Sequence, residues 1–194
     1  MKLLAILTTL APTLALAGTT NLPELTREGQ ELCYVRAYSK DHLTKHPNQK
    51  IKGAAVSLTK TADSVYATVE VRTLDNKTMF NAGGVLNAGG TRSLSKIKNV
   101  KTVAAQMDSD GGRFLLTQLA EENNVALKVQ GSLYLAEANC TNDPSITDES
   151  KPYDSMLIEA GQEDSIMVLE RKTANGSASK TCSQILDQQV YLNN

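Results

Sequence analysis

Residues 64–74 alternate strictly. Val65, Ala67, Val69 and Val71 fall on one face, and Tyr66, Thr68, Glu70 and Arg72 on the other. That period of two marks a half-buried strand. Residues 125–135 repeat it, with Val125, Leu127, Val129, Leu133 and Leu135 on one face and Lys128, Gln130, Ser132 and Tyr134 on the other. Shorter strands are predicted at 32–38, 53–59, 77–81, 100–107, 113–119, 156–160 and 165–171. Asp75-Asn76, 108–112 and 121–124 supply the turns between neighbours. Asn81–Gly90, NAGGVLNAGG, reads as a loop or a bulged edge because of its four glycines. Ser39 caps a short helical turn over 40–46 that Pro47 stops, and 183–192 predicts a short C-terminal helix.

One apolar face per strand and no long amphipathic helix predict an all-β domain. The expected architecture is an antiparallel sandwich or barrel of about seven to nine strands, since antiparallel sheets tolerate one wet face. The single domain spans 31–194, behind a polar, flexible lead-in at 18–30.

Residues 1–17, MKLLAILTTLAPTLALA, have the order of a signal peptide: Lys2, an apolar stretch from Leu3 to Leu16, and an A-x-A site at Ala15–Ala17. The stretch is too short to span a bilayer, which takes about 20 residues. The chain is therefore expected to be exported, to the periplasm or outside the cell, without membrane insertion. Cleavage removes Lys2 and takes the formal charge from −1 to −2. That balance gives no basic excess for nucleic acid. With no Trp and only two Phe, an aromatic carbohydrate groove is poorly supported.

Three cysteines, Cys33, Cys140 and Cys182, leave at least one unpaired within the chain. Cys140 and Cys182 lie in polar, loop-like surroundings and are the expected disulfide. Cys33, in an apolar run, is expected to be a small buried hydrophobe. Three N-x-[ST] acceptors occur, at Asn76, Asn139 and Asn175.

The chemistry concentrates in Cys33–Gln49, CYVRAYSKDHLTKHPNQ, which holds both histidines. His42 and His46, four apart on a helical turn, form half a metal site, but no second cluster offers further ligands, so no metal or other cofactor is assigned. Cys33 with a histidine is the one nucleophile–base pair, and no hydrolase signature surrounds it. Gly84 and Gly89 have phosphate-loop spacing without its lysine, since Gly90 stands there. Asp108-Ser109-Asp110 opens no EF-hand, because Arg113 and Leu119 occupy the positions that need Gly and Glu. The acidic run Asp143, Asp148, Glu149 and Asp154 reads as a solvated loop. No catalytic residue is assigned.

The opening CYVRAY…HLTKHPNQ, the turn DGGRF and the late Cys182 resemble a bacterial exported family. That family shares a C-Y-x-R-x-Y…H-L-x-x-H-P-x-Q opening and a D-G-G-x-F turn. The resemblance implies a small exported β domain and carries no established activity. Ala105 and Met107 stand where that family places cysteines before the turn. The leading functional expectation is a binding or interaction module, an inhibitor or envelope-associated protein, whose surface includes Arg36, Tyr38, His42 and His46. Its partner is an unknown protein or small ligand. The alternatives are a metal- or small-ligand-binding protein using His42 and His46, and a hydrolase using Cys33 with a histidine.

Overall fold

A computed structural model describes residues 21–87, 90, 94–108, 111–120, 123–137, 155–172 and 181–193. The expected signal peptide, Cys140, the acidic loop, Asn139 and Asn175 lie outside them.

The strands are β1 (Glu31–Ala37), β2 (Ile51–Lys60), β3 (Val65–Thr73), β4 (Thr78–Leu86), β5 (Thr102–Met107), β6 (Gly112–Gln118), β7 (Asn124–Glu137), β8 (Ser155–Glu159) and β9 (Ile166–Lys172). Helices α1 (Lys40–Lys45) and α2 (Cys182–Asn193) and a 3-10 turn at Glu163–Ser165 complete the described elements. Strands β1 to β7 each pair with the next. β9 then pairs with both β7 and β1, so eight antiparallel strands close into a barrel. Closure satisfies backbone groups that an open sheet would leave at its edges.

The alternation read in β3 and β7 points into this barrel. Val56, Val69, Phe114, Leu127, Leu133 and Leu169 are fully or almost fully buried in one interior cluster. Small barrels of this size are filled by side chains, which is why short aliphatics suffice without tryptophan. β7 outlasts its place in the wall. Its first half lies between β6 and β9. Beyond a register shift at Gly112/Arg113, its second half pairs with β8 and touches the start of β4.

Three expectations change. Residues 21–30 are no loose lead-in: Leu22 and Leu25 are buried, and their N–H groups donate to Val100 O and Ile97 O. Asn81–Leu86 is strand rather than loop, and its glycine content has a packing reason. A Cβ on Gly83 would sit 1.9 Å from Gln106 O on β5. The disulfide joins Cys33 to Cys182, so Cys182 is not paired with Cys140. Local polarity misled here. Cys182 opens α2, which lies on the outer barrel face and buries Leu186 and Val190 against Val35 and Ala55, so its sulfur meets the outward side of β1. Gly53 permits this approach, since a Cβ there would come 2.7 Å from Val190. Arg72 anchors the same helix, bridging Glu70 on β3 and Asp187 on α2.

Tyr34 is fully buried, and its hydroxyl has no hydrogen-bond partner among the described residues. Burial pushes its pKa from 10.0 up to about 12, with Arg171 pulling the other way. A phenol that ionises more readily unfolded than folded costs stability as pH rises above the unfolded value. Tyr34→Phe is expected to gain about 1 kcal/mol at neutral pH by removing the unsatisfied hydroxyl. It should also lose less than wild type on going to about pH 11. Urea midpoints at the two pH values test this, and a destabilised variant would show that the hydroxyl has a partner.

Candidate functional site

After β1 the chain turns sharply. Tyr38 N–H donates to Lys52 O on β2, and Ser39 Oγ accepts from His42 N–H, capping α1 as its sequence predicts. The helix has a single turn, so His42 and His46 fall on one side of it. Their rings stack at 4.3 Å between centroids, and His42 stacks in turn on Tyr38 at 4.7 Å. Arg36 sets its guanidinium carbon 5.6 Å from the Tyr38 ring centre, within cation–π range. The four residues singled out in the sequence thus form one continuous row, Arg36–Tyr38–His42–His46.

Two residues that the sequence reading gave no role complete the site. Gln49 is buried, its amide nitrogen donating to Ile51 O at 2.7 Å. Its Oε1 is then the acceptor for His42 Nε2, 3.1 Å away, so His42 carries its hydrogen on Nε2. Asp164, from the turn before β9, is 4% exposed and accepts Lys50 N–H through Oδ2, while Oδ1 has no partner among the described residues. Burial pushes its carboxyl above the usual range, opposed by the Lys50 N–H bond and reinforced by Glu163. Burial likewise raises the Tyr38 hydroxyl to about 12, helped by Asp164 and opposed by Arg36. Only the Q of the H-P-N-Q run hinted at Gln49. Nothing local pointed to Asp164, whose bond to Lys50 spans 114 residues.

The row lines a groove of about 390 Å³ whose far side carries Glu163, Ile166 and Val168. Ile166 is 57% and Val168 45% exposed, so apolar β9 surface lies beside the row. Among the described residues, no three His, Cys, Asp or Glu side chains gather as a metal would need. With the Nε2–H of His42 donated to Gln49, its Nδ1 is the nitrogen left for a metal, and no described third ligand joins it. The hydrolase alternative loses its nucleophile, because a sulfur held in a disulfide offers no thiolate. Compared with protein-family models, curated proteins and solved structures, the chain matches none.

Proposed function

We propose that the chain is an exported barrel that acts as a binding module for a protein partner, with Arg36–Tyr38–His42–His46 as the contact. The carrying observation is the stack itself. Arg is among the residue types that dominate binding energy at interfaces, and the exposed Arg36 and His46 are held in place by the stack on the core residue Tyr38 before a partner arrives. The exposed Ile166 and Val168 beside them add apolar area. Export is supported by the order of residues 1–17 and by the disulfide, a bond at home in an oxidising compartment. No described helix is long and apolar enough to cross a membrane. The second reading, a metal or small ligand held by His42 and His46, is favoured by one observation, the two facing imidazoles at 4.3 Å.

Native mass spectrometry of the protein taken from its own compartment separates the two. The expected species begins at Gly18, is lighter by the hydrogens of one disulfide, and carries a protein partner. Arg36→Ala combined with His46→Ala changes two exposed positions. It should weaken that complex at least about tenfold, as loss of an interface arginine commonly does. A bound metal that disappears in His42→Ala His46→Ala would transfer the function to the second reading.

A further inference from the structure

Among the described residues strand β8 pairs only with β7, and its other edge is unpaired. It forms one wall of a groove of about 1060 Å³, closed on the far side by Pro47–Lys50 and the β3–β4 hairpin at Thr73–Lys77. Met79 and Met156 lie at its apolar part, flanked by the half-exposed Leu74 and Leu157.

The direction of the β8 backbone follows from the bonds around it. Ala160 N–H donates to Gly131 O, and Ala160 stands one residue beyond the Ser132–Glu159 pair. In an antiparallel ladder, bonded and non-bonded pairs alternate. Ile158 and Met156 are therefore bonded to β7, and Leu157 turns both its N–H and its C=O away. The other face of β7 agrees, because Tyr134, opposite Leu157, gives its N–H to Gly111 O and accepts from Asn81 with its carbonyl. Glu159 spends its outward pair on its own connector, donating to Gln162 Oε1 and accepting from Gln162 N–H. Leu157 has no such substitute among the described residues.

We infer that this groove takes an extended segment of a partner polypeptide, which adds to the free edge of β8 as a further strand. An outward N–H and C=O on one residue are complementary to another backbone. The charged residues lining the groove are Lys50, Lys77, Asp75 and Glu163. Two of each sign leave no field that favours a charged ligand, and an uncharged segment with apolar residues at alternate positions fits best. Gln49 and Glu163 line both this groove and the histidine groove, so the two surfaces are continuous. The inference goes beyond the stack reading and stands without it.

The test selects phage-displayed random octapeptides on the full oxidised chain and follows the Leu157 amide by hydrogen exchange, with and without the best peptide. The expected result is fast exchange at Leu157 in the free chain and at least about hundredfold slowing when peptide is bound. Leu157→Pro removes the outward N–H while leaving the β7 bonds of Met156 and Ile158 in place. It should weaken the peptide about tenfold, the most a single backbone bond commonly contributes. Arg36→Ala His46→Ala should bind the peptide as wild type does. Three results would overturn the inference: no binder from the pool, a Leu157 amide already protected in the free chain, or a Leu157→Pro variant that binds normally. In the second case native mass tells a second copy from the chain's own residues. If Leu157→Pro does not fold, exchange in the wild-type complex decides alone.

Discussion

The Cys33→Ser Cys182→Ser variant is expected to be less stable than wild type by about 2–5 kcal/mol. The bridge ties β1 to α2 across 149 residues of sequence. Loop closure that long sits at the upper end of what chain entropy contributes, about 5 kcal/mol in that account. It also holds the helix whose Leu186 and Val190 cover Val35 and Ala55. Without it, α2 keeps that contact, the Ser183 hydroxyl bonded to Glu70 and Arg72, and the Arg72–Asp187 pair, whose aspartate is more than half exposed and therefore adds little. The expected denaturation curve shifts to lower urea, and reductant does the same to wild type. Alkylation before reduction should label Cys140 and neither Cys33 nor Cys182. A protected Cys140 would mean that another pairing exists in solution.

Gly112→Ala is the second large effect, expected at roughly 3 kcal/mol or more. Gly112 opens β6 with φ +89°, and an added Cβ would come 1.8 Å from Ser132 O. That carbonyl belongs to the bulged part of β7, where Gly112 faces Leu133 and Arg113 already faces Gln130. The clash is with backbone and has no flexible side chain to move aside. Gly131→Ala is the control. Gly131 also has positive φ, +77°, but nothing lies within 4 Å of the added Cβ. It should lose only the backbone preference, about 1–2 kcal/mol. Equal losses for the two, read from urea midpoints, would remove the close approach as the reason for Gly112.

The same comparison shows why the turn 108–112 was legible while its role was not. Asp and Gly announce a turn by their backbone preferences. That Gly111 O also receives Tyr134 N–H, from a strand beyond the next hairpin, depends on the bend in β7. The candidate row is similar. Its helical spacing and the Ser39 cap are local, so His42 and His46 were placed together from sequence. Gln49 and Asp164 were not, because burial and bonding to distant backbone gave them their roles. The glycines of Asn81–Gly84 read as loop because strand preference disfavours them. In β4 the close approach of β5 requires one of them instead.

The sequence by itself determined most of the strands, the inward faces of β3 and β7, the capped turn of α1 and the all-β class. Each of these follows from residue preferences and periodicities a few positions long. Tertiary structure alone decided the closure of eight strands through β9, the burial of Leu22 and Leu25, and the partner of Cys182. It also decided which edge of β8 stays unpaired among the described residues. These depend on which surfaces remain uncovered after the barrel has closed, and pairing energies between strands more than a hundred residues apart leave no local mark in the chain.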